Sequence, residues 1–167
     1  VDPETGELLP QPAAASSGSI TSDGAFFLWI RPREDMEQIH IVAAPKDSAA
    51  MVPSKTFEVA PSSQVGILEL GEFGAEVTVT GTLLSANGQP IAGASVYIEG
   101  TAGGGGKFRS GAAATDEMGN FSLRTLPSVG NASLQLVAVP PTTSDFGQVR
   151  HPVKVPTLGG DLGAFSA

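Results

Sequence analysis

Displacing the sequence along itself so that Gly24 falls on Gly119 brings two separate stretches into register without a gap. GAFFLWI lies over GNFSLRT and IHIVAAP over LQLVAVP. Gly24, Phe26, Leu28, Val42, Ala43, Pro45 and Pro61 then meet Gly119, Phe121, Leu123, Val137, Ala138, Pro140 and Pro156. A period of about one hundred residues is too long for a solenoid unit and suits tandem β-sandwich modules. The matched runs alternate apolar side chains, as strands with a buried face do. The chain is therefore expected to be all-β, with two tandem β-sandwich domains at residues 1–72 and 73–167.

Composition agrees with that class. The chain carries 21 Gly and 13 Pro, and its helix formers fall in no run with apolar spacing of three and four, which disfavours long helices. Nine basic residues stand against seventeen acidic ones, and the basic ones are scattered singly, so nothing offers a footprint for a phosphate backbone and nucleic acid is not an expected partner. With no cysteine, disulfides, thiolate nucleophiles and Cys-ligated metals are excluded. No apolar run reaches the ~20 residues that a membrane helix needs.

The second copy supplies a full set of strands, expected at 76–84, 94–99, 110–115, 120–126, 132–139, 148–155 and 162–165. Turn residues separate them: Asn87-Gly88, the Gly103 to Gly106 run, Met118-Gly119, Pro140-Pro141 and Gly159-Gly160. Within this copy, GTLLSANGQPIAGASVYI followed by TDEMGNFSL resembles the carboxypeptidase regulatory-like domain, a transthyretin-like (prealbumin-like) seven-stranded sandwich. The residues that carry the resemblance are Gly81, Gly88, Pro90, Ile91, Gly93, Ala94 and Val96, then Thr115, Asp116, Gly119, Phe121 and Leu123, within residues 77–139. The resemblance implies a sandwich fold, a non-catalytic accessory, stalk or scaffold role, and no active site.

The first copy departs from that pattern. Val1 to Leu9 resembles the turn around Gly88, but no residue stands before Val1 to match the opening strand of copy two, and the interval from Gly6 to Gly24 is shorter than that from Gly88 to Gly119. An incomplete first sandwich is expected. The connection Gly71-Glu72-Phe73-Gly74 is too short for a flexible tether, which predicts a stiff two-domain rod with Phe73 packed at the junction.

Chemistry-bearing motifs are few. GTAGGGGKF has Thr101 and Phe108 where a phosphate loop needs a glycine and a hydroxyl, so it reads as a mobile hairpin tip. His40 alternates out of the core between Ile39 and Ile41, and His151 precedes Pro152 in an edge-like segment; neither has a converging set of ligands or a serine partner. Glu34-Asp35 and Asp116-Glu117 lack the oxygen-ligand spacing of a calcium loop and read as turn carboxylates. An isopeptide crosslink needs a Lys in EVTVTGTLL and an Asn in LGAFSA, and both are missing. Asn120-Phe121-Ser122 and Asn131-Ala132-Ser133 match the glycosylation acceptor pattern. No catalytic, cofactor-binding or metal-binding residue is assigned, and the chain is not expected to be an enzyme.

The candidate interface lies in copy one. With Phe26, Leu28 and Ile30 facing inward, Phe27 and Trp29 occupy the outward positions where copy two has Ser122 and Arg124. Two exposed aromatics make an apolar patch that something should cover: the segment with Leu8 and Leu9, a neighbouring subunit, or a sugar stacked on Trp29. The expected function is a non-enzymatic extracellular or cell-envelope structural protein, a stalk or a filament subunit, joined to neighbouring subunits by β-strand donation. The alternative is a carbohydrate- or peptide-binding accessory module of a larger secreted protein.

Overall fold

The computed structural model describes residues 24–26, 28, 37–45, 51–60, 65–142, 144 and 146–167. Among the described residues ten strands follow in order: β1 (Ile39–Ala43), β2 (Lys55–Val59), β3 (Val77–Leu84), β4 (Ser95–Thr101), β5 (Lys107–Arg109), β6 (Ala113–Ala114), β7 (Asn120–Thr125), β8 (Ser133–Val139), β9 (Val149–Val153) and β10 (Gly160–Ser166). The architecture is all-β with several sheets. No helix among the described residues is long and apolar enough to cross a membrane.

From β3 onward the strands form two sheets. One has three strands in the order β10-β3-β7; the other runs β5-β4-β8-β9, with β6 also pairing β4. Alternation in the sequence decides which side chains meet between them: in β7, Phe121, Leu123 and Thr125 are buried while Asn120, Ser122 and Arg124 are exposed. Val79, Leu83, Phe121 and Leu123 of the smaller sheet pack with Val96, Ile98, Leu134 and Leu136 of the larger one into a single core. Each of these side chains contributes on the order of 1.5 to 3 kcal/mol by leaving water. The expected strands are thus found with shifts of a residue or two, apart from the third.

Of the strand predicted at 110–115 only β6 forms, β5 ending just before that range at Arg109, and Ser110 stands at the break. Its hydroxyl accepts a hydrogen bond from Ile98 N (2.9 Å) and donates to Gly111 O (2.8 Å), while Ser110 N still donates to Ile98 O (2.7 Å), so a side chain takes one of the two ladder bonds at that point.

The glycine run also differs from expectation. Gly103–Gly105 form a 3-10 turn, and Gly103 and Gly106 are buried. A Cβ on Gly104 would lie 2.7 Å from Leu70 O, one on Gly103 would strike Glu72 O, and one on Gly106 would lie 2.6 Å from Pro53 Cβ. The run is a packing surface for the chain that leads into β3, not a free tip, because only residues without a side chain admit backbone so close. Ser54 and Lys107 exchange backbone hydrogen bonds of 2.7 and 2.6 Å on the β5 edge. Asn131 Oδ1 accepts from Gly104 N at 3.2 Å, and Phe73 is half-buried against the sandwich core.

Upstream, β1 and β2 pair antiparallel from Ile39 opposite Val59 to Ala43 opposite Lys55. Phe26 and Leu28 are half-buried. Phe27, Trp29, Leu8 and Leu9, like Ile30 and the Glu34-Asp35 pair, lie outside the described residues.

Candidate functional site

The outer face of the three-stranded sheet is built from alternation in β3 and β7. Thr78, Thr80 and Thr82 stand in register with Arg124, Ser122 and Asn120. Asp161 of β10 sits opposite Thr80. Thr80, Thr82, Asn120, Ser122 and Asp161, together with Asp116, line an open depression of about 620 Å³ whose lining also includes Gly81 and Phe121. On the same face of β7, Arg124 is ion-paired with Glu76. The face is hydroxyl- and carboxylate-lined, with no exposed aromatic ring for a sugar to stack upon.

Much of that polarity is already used within the fold. Asp116 Oδ1 accepts from Met118 N (2.9 Å) and Asn120 N (2.8 Å), and Oδ2 accepts from Asn120 Nδ2 (3.2 Å). Hydrogen bonds from Asn120, chiefly its backbone N–H, and from Met118 N–H hold the Asp116 carboxyl below its ordinary value, against a smaller opposing effect of burial. Thr82 Oγ1 donates to Asn120 Oδ1 (3.0 Å), and Asp161 Oδ1 accepts from Gly163 N (3.0 Å). The carboxylates therefore close turns, as the sequence suggests for Asp116-Glu117.

The motif TDEMGNF can be read residue by residue. Thr115 is buried; its hydroxyl accepts from Ala94 N (2.9 Å) and donates to Ile91 O (2.6 Å), tying two turns together. Asp116 orders the turn. Gly119 has φ +76° and a Cβ there would strike Leu83 O, so the position excludes other residues on two grounds. Phe121 fills the core beside Phe165, with ring centroids 6.2 Å apart. Ser85 plays a related part at the first turn, its Oγ accepting from Gln89 N at 3.1 Å.

The two histidines are not brought together. His40 is exposed on β1, whereas His151 on β9 donates from Nε2 to Ser166 O at 2.8 Å and packs against Phe165 at 5.5 Å. That tie between strands of different sheets was invisible to sequence reading, because it depends on where the last strand lies. Among the described residues no three His, Asp or Glu side chains gather to hold a metal ion. Both acceptor-pattern asparagines spend their side chains inside the fold, Asn120 on Asp116 and Asn131 on Gly104.

Residues 78–156 match the family model of the carboxypeptidase regulatory-like domain. No curated protein matches the chain. Among solved structures it is similar to a 9R-lipoxygenase from Cyanothece PCC8801, at 19% identity and TM-score 0.40 over 64% of this chain and 18% of that one. It is also similar to chlorocatechol 1,2-dioxygenase from Pseudomonas putida, at 15% identity and TM-score 0.39 over 57% of this chain and 59% of that one. Hydroxyquinol 1,2-dioxygenase from Pseudomonas putida DLL-E4 follows at 18% identity and TM-score 0.36, over 59% and 48% of the two chains. This chain thus spans less than two thirds of each of those proteins. The matched segment takes in the Gly88 turn, the buried Thr115, the Asp116 turn and the two-sheet core, and residues 78–156 are a carboxypeptidase regulatory-like domain.

Proposed function

We propose that the chain is a non-enzymatic structural segment, a spacer or stalk of an extracellular or cell-envelope protein. One observation carries this reading: β10 pairs with β3 in parallel, from Gly160 opposite Val79 to Ser166 opposite Leu84. Parallel pairing sends the backbone into β3 at one pole of the sandwich and out of β10 at the other. The eight residues of β3 at ~3.3 Å each separate those poles by roughly 25 Å. An antiparallel pair would return the chain to its starting pole and add no reach. The segment before β3 is braced by the glycine run and by the Ser54–Lys107 bonds, which favours a fixed entry angle over a swivel. Assembly by strand donation, with Phe27 and Trp29 in the contact, belongs to the same class of reading and concerns residues upstream of these braces.

The experiment is to fuse a compact reporter protein to each end of the full chain and measure the distribution of their separation. A spacer gives one narrow distribution. A broad one, or a peak no longer than for the two reporters joined directly, overturns the reading. A second reading, a polar-ligand accessory module, draws on the depression around Thr80 and Ser122. Binding of an oligosaccharide or peptide that Ser122→Trp abolishes would favour it.

A further inference from the structure

We propose that the β3–β10 pair is a mechanical clamp, giving the domain a further function: to resist tension along the chain. The proposal deepens the spacer reading and rests on it. Tension applied before Val77 and after Ser166 pulls two parallel neighbours in opposite directions along their own axes. Every backbone hydrogen bond between them is then loaded at once, and none can yield before the rest. Pulling from a single pole would instead peel the pair open one bond at a time.

Four features reinforce the sliding direction. The register slips between Asp161 and Ala164, where an extra residue in β10 interrupts the ladder and puts a step in the sliding path. Beyond the last paired residues, Ala167 N donates to Leu84 O at 2.8 Å and extends the bonded length. Phe165, half-buried, sits against Phe121 and His151 and must be drawn past them before the strand can move. His151 adds a tie from the other sheet, its Nε2 donating to Ser166 O at the exit itself. β3 is held along its other edge by β7, from Val77 opposite Thr125 to Thr82 opposite Asn120, so it is the fixed member of the pair. Resistance of this kind is set by the barrier to unfolding and not by equilibrium stability.

The absence of cysteine makes introduced thiols unique handles. In the full chain, Ala75→Cys with Ser166→Cys places the handles at opposite poles, and Ala75→Cys with Leu158→Cys places both at the pole where β3 and β10 begin. All three positions are exposed, Leu158 at 95%. Single-molecule pulling at one speed is expected to need a severalfold higher force in the first geometry than in the second. His151→Ala should lower the first force and leave the second unchanged. Equal forces in the two geometries, or a His151→Ala loss of the same size in both, would overturn the clamp. The reporter-separation measurement is independent of this ratio: a narrow distribution with equal forces removes the clamp and keeps the spacer, whereas a broad distribution removes the spacer reading on which the clamp rests.

Discussion

Val42 and Val137 occupy the same position of the repeat and meet opposite environments: Val42 is 63% exposed and Val137 fully buried. Both point away from the inward-facing set of their strands. Val137 is flanked in register by Tyr97 of β4 and Arg150 of β9. Arg109 lies over the Tyr97 ring at 3.9 Å, and Arg150 is ion-paired with Glu99. The Arg109 guanidinium thus covers the Tyr97 ring on the outer face, and Arg150 stands beside Val137 in register. β1 has a described partner on one side, β2, and no such roof is described over Val42. Apolar alternation in a sequence therefore specifies a strand, and its neighbours decide whether the second face is dry.

The largest expected effect tests whether the two copies differ in packing as sharply as that valine pair implies. Phe121→Ala should destabilise its unit by about 3 to 5 kcal/mol, since Phe121 is a core residue at 3% exposure. Phe26→Ala, at the equivalent half-buried position, should cost less than half as much. Urea unfolding separates the two, because the single Trp29 reports copy one and the single Tyr97 copy two. Equal losses would break the comparison and restore two equivalent cores.

Gly24 and Gly119 sharpen it. Both have positive φ, +82° and +76°, but among the described residues a Cβ on Gly24 meets nothing within 4 Å, while one on Gly119 strikes Leu83 O. Ala at Gly24 should cost about 1 to 2 kcal/mol from backbone conformation alone. Ala at Gly119 adds displacement of a carbonyl that accepts from Ile91 N at 3.0 Å, so a loss above about 3 kcal/mol is expected. Next in size, Val137→Ser should cost about 2 kcal/mol by burying a hydroxyl in place of a methyl-rich side chain, against almost nothing for Val42→Ser. Denaturant midpoints check both pairs.

Copy two was legible because its signals are local. Alternation in VTVTGTLL and NFSLRT fixes which residues face the core, and Asn87-Gly88 and Met118-Gly119 mark turns that any strand assignment must respect. What escaped reading depends on contacts between distant segments. The Gly103–Gly106 run looks like a loose tip until the chain from Leu70 to Glu72 is laid across it. His151 looks like a surface residue until β10 brings Ser166 O within reach. The break of the third strand turned on one hydroxyl, that of Ser110, whose choice between solvent and backbone is not written in the pattern of apolar residues. Phe27 and Trp29, outward by sequence alternation alone, pose a question that Tyr97 answers for the other copy: an arginine laid over the ring is one cover.

The smallest effect is a pH limb that should belong to copy two alone. At the repeat position of Asp116, copy one has Thr21, which cannot ionise. The Asp116 carboxyl is held below its ordinary value of 3.8, first by the backbone N–H of Asn120. In the unfolded chain those hydrogen bonds are gone, so the unfolded group takes up its proton at a higher pH than the folded one. The stabilisation from the turn is thus present above the unfolded value and is lost as pH falls through the folded one. Asp116 is solvent-exposed, so the amplitude should be small and screened by salt. Asp116→Asn keeps an acceptor in the turn while removing the titration. It should flatten the stability of copy two as pH falls below the unfolded value of the carboxyl, followed by the tyrosine signal, and leave the Trp29 transition unchanged. An acid limb that survives in Asp116→Asn, or one that appears equally in both signals, would assign acid sensitivity to other carboxylates and detach it from this turn.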